Sequence, residues 1–452
     1  MKVNDHSNIK KEFETYKELL TKLIKFKSIS TDNIYLGEIS GAADWLVETL
    51  KAANFSVEKY TDYGNPIILA EYQVDINAPT IIIYGHYDVQ PASQDDGWAT
   101  DPFELNIIAG KLIGRGVADN KGQFLIYLAT IINLIKDAKL AVNIKFLLEG
   151  NEESGSEGLE SFFKVHNPDL KGDLWLISDS TFTTHEEPAL ELGARGNLNA
   201  TLILKTANHA LHSGMYGGTV PNPIHEAAKL IAKLFGPEDK LNLANFYTVV
   251  EEIPQTLLSS NSKLANVNEY LAETTTKTVF SEANVDYLTQ AGLRPTIQIT
   301  GIQSGYVGQG YRNEIPNQIQ IKFNLRLVAN QDALKIKADF ETYIANNIAK
   351  YVDYQLDFTG YDNGVKFNLD KKYTPQIKSI VKEIYHTEPV EAYSGGTLPV
   401  LAFIEQYAKL PVIAIGLANS DCKMHAVGEN FRLDYLENGL KFTKRLLTNK
   451  FN

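Results

Sequence analysis

Cysteine is nearly absent. Cys422 is the one example in 452 residues, so no disulfide can form within the chain, and a disulfide-stapled secreted fold is excluded. No apolar run approaches the ~18 residues of a membrane-spanning helix. The opening stretch, M-K-V-N-D-H-S-N-I-K-K-E, lacks the apolar centre of a signal peptide. Lys and Arg nowhere cluster densely enough to make a nucleic-acid surface, and the formal net charge is −12. The expectation from these absences is a cytoplasmic protein with neither a nucleic-acid nor a membrane partner. Hydrophobic residues at 44% and charged ones at 22% are ordinary for a globular chain, and the length suffices for two or three domains with a large core.

What is present is a repeated juxtaposition of apolar strands and polar ends. Residues 81–91 read I-I-I-Y-G-H-Y-D-V-Q-P, a β-branched run that a strand covered on both faces would use. His86 and Asp88 follow two apart and emerge on one side of an extended chain. In that geometry His86 could ligate a metal while Asp88 orients the ring or works on a water; the bland alternative is a surface His beside a loop Asp. Residues 112–122, L-I-G-R-G-V-A-D-N-K-G, place Asp119 at a strand-to-helix junction. No dinucleotide-type or Walker-type phosphate loop is present there. The apolar run 141–148 leads into E-G-N-E-E-S-G-S-E-G, with glutamates at 149, 152, 153 and 157, and D-L-W-L-I-S-D at 173–179 ends on Asp179. In a mainly parallel sheet the C-terminal strand ends converge on one edge, so His86, Asp119, Glu152, Glu153 and Asp179 are expected to gather there. His425 follows a further buried strand at 411–416.

From about 190 the character changes. Strand 196–206, helix 222–235, strands 297–303 and 318–328, helix 331–350 and strand 353–360 give β-α-β-β-α-β, the ferredoxin-like split unit. Asn222-Pro223 supplies a cap and first-turn proline for the first of these helices. Residues 236–296 form a weakly periodic insertion. The expected organisation is α/β: a mostly parallel-sheet catalytic domain in two parts, 1–189 and 366–452, with an inserted ferredoxin-like α+β lid and dimerisation domain at 190–365.

Taken in order, G-H-Y-D-V-Q-P, G-R-G-V-A-D-N-K-G, E-G-N-E-E-S-G-S-E-G, I-S-D, L-H-S-G-M-Y-G-G-T-V-P-N-P and M-H-A-V-G-E-N resemble the motifs of the di-metal aminoacylase/carboxypeptidase/dipeptidase family, in its cytosolic nonspecific dipeptidase and carnosinase branch. The resemblance spans roughly residues 10–445. It implies a hydrolase, a metallopeptidase with two divalent ions per chain. His86, Asp119, Glu153, Asp179 and His425 would be the ligands, with Asp119 bridging, His86 and Asp179 completing one ion, and Glu153 and His425 the other. Mixed imidazole and carboxylate suit Zn²⁺, with Mn²⁺ or Co²⁺ open. Two ions ~3.5–4 Å apart can share a hydroxide and polarise a carbonyl, with Glu152 as general base. The resemblance also implies a cis bond at Asp119–Asn120.

By the same resemblance His212 polarises the scissile carbonyl, reaching a partner subunit across a homodimer built through the lid domain. Arg326 clamps a substrate's C-terminal carboxylate, and Asn313 and Thr397 align with polar substrate contacts, where that branch often has Thr and Ser. Cys422, His6, His166, His185, His225 and His386 receive no role, nor does His209. The expected reaction is hydrolysis of short peptides, dipeptides with a free C-terminus first. The alternatives are an N-acyl- or N-carbamoyl-amino-acid deacylase on the same scaffold, and a non-catalytic descendant that binds peptide or metal.

Overall fold

The computed structural model describes residues 5–183, 186–236, 240–282, 284–449 and 451; His185 lies outside them. The chain divides into two units, one comprising residues 1–192, 367–392 and 399–452, the other 193–366 and 393–398. The short return segment Tyr393–Leu398, expected with the last part of the first domain, groups with the second unit. The reason is local: Arg195 donates from Nε to Gly395 O at 3.0 Å, and Thr397 Oγ1 donates to Arg195 O at 2.7 Å.

The first unit is built on a sheet whose spatial order runs Ser56–Tyr60, Ile67–Tyr72, Asn143–Glu149, Thr80–His86, Leu174–Ile177, Val412–Ile415, Ala189–Ala194. Its four central strands are parallel. They are short runs of Ile, Leu, Val and Phe buried on both faces, as parallel strands covered by helices must be. Three antiparallel strands flank them. The sequence does not announce Ala189–Ala194, because A-L-E-L-G-A is short and carries a central glutamate.

Register decides where the polar residues end up. His86 stands opposite Glu149, and Tyr84 opposite Ile177, so Asp179 begins its loop level with the end of the His86 strand. The helix Lys121–Lys136 is buried along almost its whole length, packed against helices Asp5–Leu23 and Leu433–Leu447. Its entry depends on glycine. A Cβ on Gly122 would lie 1.8 Å from Val117 O, and Gly122 N donates to Gly116 O at 2.9 Å. The turn that carries Asp119 can therefore close only over a residue without a side chain.

The second unit contains a four-stranded antiparallel sheet in the order Thr296–Gln303, Gln318–Leu327, Gly196–Lys205, Asp353–Asp362. With helices Pro223–Leu234 and Ala333–Asn347 this is the split β-α-β-β-α-β arrangement. Gly196–Lys205 alternates strictly between buried and half-buried positions. One face of the sheet (Leu198, Ala200, Leu202, Phe323, Leu325, Leu327) joins the helices in an apolar core, and the other face is polar. Three helices, Gln255–Leu264, Val267–Thr274 and Tyr287–Leu293, fall within the long insertion.

Gly122→Ala tests the junction. It is expected to destabilise the protein by at least about 3 kcal/mol, since a methyl group cannot coexist with the Val117 carbonyl. Urea unfolding of the purified variant against the parent checks this; a shift below about 1 kcal/mol would mean that the turn relaxes freely.

Candidate metal centre

Seven of the residues singled out in the sequence meet at the C-terminal edge of the parallel strands. His86 ends its strand fully buried. Its Nδ1 faces the Asp88 backbone carbonyl at 3.1 Å and the Asp88 carboxylate at 3.3 Å. Its Nε2 lies 3.1 Å from Asp119 Oδ1, 3.5 Å from Asp179 Oδ1 and 4.0 Å from Glu152 Oε2. His425 approaches from the other side, with Nε2 2.7 Å from Asp119 Oδ2 and 3.3 Å from Glu153 Oε2. Each Asp119 oxygen thus faces a different imidazole. Two triads able to hold a metal ion result, His86–Asp119–Asp179 and Asp119–Glu153–His425, the candidate ligand atoms of each lying within 4.8 Å of one another. Asp119 belongs to both.

Local structure aims each group. The Asp119–Asn120 peptide bond is cis. Asn120 occupies the N-cap position of the Lys121–Lys136 helix but makes no capping bond. Its amide instead donates to Asp179 Oδ1 at 2.7 Å and to Ser178 O at 2.5 Å. Asp88 accepts from the backbone N–H groups of Glu152 and Glu153 at 3.2 and 3.0 Å, so one carboxylate sets both the His86 ring and the turn carrying the two glutamates. Glu153 Oε2 accepts from Gln90 at 2.7 Å, while Glu153 Oε1 is buried without a hydrogen-bond partner. The four glutamates that read as one charge run part company. Glu157 is exposed and Glu152 and Glu153 face the cluster. Glu149 is buried under Tyr84 and Ser156, at 2.7 and 3.0 Å, and burial pushes its carboxyl up to about 7.

The electrostatics record the crowding. Burial alone would lower the His86 imidazole, but the surrounding Asp179, Asp119 and Asp88 carboxylates outweigh it and hold it well above its ordinary value. Hydrogen bonds to Asp119 and Glu153 raise His425 to about 10. Burial would raise Asp119, yet the two imidazoles hold it below the usual carboxylate range. Burial pushes Glu152 well above that range, with Asp179, Glu153 and Asp119 adding to it. Asp88, Asp119, Glu152, Glu153 and Asp179 outnumber the two imidazoles, so even with both rings protonated the cluster keeps negative charge that a buried site must neutralise. Two imidazole nitrogens facing one shared carboxylate, beside a glutamate that keeps a buried unpartnered oxygen, fit divalent cations.

A residue that the motifs contained but that received no role underpins this arrangement. Glu429 is fully buried. Its Oε2 accepts from Arg115 Nη1 at 2.7 Å and Gly116 N at 3.0 Å, and its Oε1 from Ala118 N at 2.9 Å and Asp119 N at 3.1 Å. Arg115 also donates to His425 O at 3.2 Å. The Glu429–Arg115 pair thereby joins the Asp119 turn to the His425 loop. The signal was the one acidic residue of M-H-A-V-G-E-N, four positions after the histidine. Cys422 is buried, its thiol pushed up to about 12 by burial, and it belongs to neither triad.

His212, Asn313, Arg326 and Thr397 lie in the second unit, where they form two pairs. Arg326 Nη1 donates to Thr397 Oγ1 at 2.8 Å. His212 and Asn313 are exposed neighbours at a short two-stranded antiparallel ladder in which His212 pairs with Glu314 and Ser213 N donates to Asn313 O at 3.0 Å.

Glu429→Ala is expected to cost about 3–5 kcal/mol in stability, because it leaves Arg115 buried and uncompensated and three N–H groups without their acceptor. Urea unfolding checks the loss; Glu429→Gln, which keeps the shape and part of the hydrogen bonding, should cost less. Equal stability of parent and Glu429→Ala would remove the structural role given to this carboxylate.

The geometry can be set beside known proteins. The model of peptidase family M20/M25/M40 matches residues 82–449. The Cys-Gly metallodipeptidase dug1 of Schizosaccharomyces pombe is 27% identical over 456 residues, covering 96% of this chain and 95% of that protein. The human Beta-Ala-His dipeptidase is 28% identical over 382 residues, covering 82% and 75%. Among solved structures, the M20 family metallo-carboxypeptidase Sso-CP2 from Sulfolobus solfataricus superimposes with a TM-score of 0.88 at 28% identity, over 96% of this chain and 98% of that one. This chain belongs to peptidase family M20/M25/M40.

Proposed function

We propose that the protein is a metal-dependent dipeptidase that hydrolyses short peptides with a free C-terminus. The observation that carries this reading is the pair of His–carboxylate triads sharing Asp119, with Glu152 beside them and outside both. Relatives named as dipeptidases over nearly the whole chain support the substrate class. His86, Asp119 and Asp179 would hold one divalent ion, and Asp119, Glu153 and His425 the other. Zn²⁺ is the first candidate, with Mn²⁺ or Co²⁺ open, since the donors are imidazole and carboxylate without thiolate. Bound there, the ions supply Lewis acidity for the scissile carbonyl and lower the pKa of water.

The rest falls to the protein's own groups. Glu152 takes the proton of the attacking water and delivers it to the leaving amine. Asp88 keeps the His86 ring turned and the Glu152–Glu153 turn in place through the contacts given above. Arg326, supported by Thr397, receives the C-terminal carboxylate, and His212 and Asn313 supply polar contacts to the substrate. The single buried cysteine fits a cytoplasmic location, and among the described residues no helix is long and apolar enough to cross a membrane.

We read the second unit as a lid and the surface of a homodimer. Support comes from the stretch around His212, where Met215 and Tyr216 are exposed, and from Val307 and Tyr311, exposed at 94% and 98%. Apolar side chains so open to water mark interaction surfaces.

A panel of dipeptides, N-acetyl and N-carbamoyl amino acids, assayed with added Zn²⁺ or Mn²⁺, separates the candidates. Dipeptides should be turned over fastest, and Glu152→Ala should lose at least about 10²-fold in kcat while keeping its metal content. Turnover of acylated amino acids alone would make the protein a deacylase, and no turnover at all a binding protein. Loss of metal together with activity in Glu152→Ala would reverse the roles of Glu152 and Glu153. Light scattering tests the dimer; a monomer would remove it.

A further inference from the structure

The polar face of the second unit's sheet carries an amide network that ends on Arg326. Asn324 and Arg326 are two apart on Gln318–Leu327 and so share a face. Across the ladder they pair with Asn199 and Asn197 on Gly196–Lys205. Asn324 Nδ2 donates to Asn197 Oδ1 at 2.7 Å and to Asn199 Oδ1 at 2.8 Å. Its Oδ1 accepts from Arg326 Nε at 3.1 Å. Because the two neighbouring oxygens engage the amide's donors, only its oxygen can be turned to the guanidinium.

The second hold on Arg326 is equally determined. Thr397 gives its hydroxyl proton to Arg195 O at 2.7 Å, and so meets Arg326 Nη1 at 2.8 Å as an acceptor. A guanidinium has five N–H donors. One at Nε and one at Nη1 are engaged, and those that remain lie at the Nη end. Among the described residues no acid forms an ion pair with Arg326. Asp362 acts on it at longer range, and the nearby Arg195 makes the region more positive, its own value pulled down to about 10 by burial and by the Arg326 charge. The arginine is held by neutral groups, with its charge left for an anion.

We propose that Asn324 is a positioning residue for Arg326: by engaging the Nε hydrogen, it directs the Nη end of the guanidinium, rather than the Nε edge, to the substrate's carboxylate. Asn197 and Asn199 hold Asn324 in that orientation. The network is built from this chain's own asparagines and lies outside every motif that marks the family resemblance. The inference rests on the reading of Arg326 as the carboxylate group's receptor.

The test is steady-state kinetics of the metal-loaded enzyme on matched peptides carrying either a free C-terminal carboxylate or a C-terminal amide. Asn324→Leu should raise KM for the free acid about tenfold, the equivalent of one hydrogen bond to a charged group. It should leave kcat within about twofold and the amide's KM unchanged. In the Arg326→Ala background Asn324→Leu should add nothing further, since its effect passes through the arginine. Should Asn324→Leu fail to fold, Asn324→Ala carries the same expectation without added volume. If Arg326→Ala discriminates acid from amide but the Asn324 variants do not, or lower kcat equally for both, the inference is overturned and the reading of Arg326 survives. If Arg326→Ala itself makes no such distinction, the reading of Arg326 fails first and takes the inference with it.

Discussion

Carboxylates do not willingly share a buried space. At the edge of the parallel sheet Asp88, Asp119, Glu152, Glu153 and Asp179 lie within a few ångströms of two imidazoles, and most of the architecture around them serves to make that tolerable. The sharpest constraint is on Asp119, whose two oxygens face different histidines at 3.1 and 2.7 Å. A carboxylate can serve two neighbours in this way only if its backbone is fixed on both sides. The bond from Gly122 N to Gly116 O closes the turn on the side that follows Asp119, and Glu429, accepting from the N–H groups of Gly116, Ala118 and Asp119, holds the side that leads into it. Asn120 and Asp88 extend the same logic outward. Each is a polar residue whose hydrogen bonds go to the backbone or side chain of a group facing the cluster rather than to solvent.

Much of this was legible in the sequence for a physical reason. A strand covered on both faces must be an unbroken apolar run, so the residue that ends the run stands out, and in a parallel sheet the ends of successive runs fall on one edge. His86, Asp119, Glu152, Glu153 and Asp179 could be grouped on that ground before any coordinates. The split β-α-β-β-α-β unit was legible too, from alternation in strands such as Gly196–Lys205. Less visible were elements whose patterns are short or mixed: Ala189–Ala194, interrupted by a glutamate, and the brief strands Asn106–Ile108, Lys111–Ile113 and Asn430–Arg432, which pair with one another but are too short to show a period.

The supporting groups were harder to see than the groups they support. Glu429, Arg115 and Gln90 all fall inside conspicuous motifs, yet nothing local distinguishes a carboxylate that will face a cation from one that will face backbone N–H groups. Their partners are chosen by the fold: Arg115 and Glu429 are over three hundred positions apart. The asparagine network beneath Arg326 illustrates the same limit. Asn197, Asn199 and Asn324 look like unremarkable polar residues on the open face of strands, and only the register of two antiparallel neighbours brings their amides into one chain of donors and acceptors.

The manner in which Glu429 and His425 join the Asp119 turn also bears on folding. The two triads share Asp119, and Arg115 and Glu429, over three hundred positions apart, meet at the turn that carries it. Contacts of such long sequence separation must first meet the entropy of closing the intervening chain. Both halves of the centre therefore wait on one closure: a molecule in which it has not formed has His86 and Asp179 without the grip that holds Asp119 between the two imidazoles.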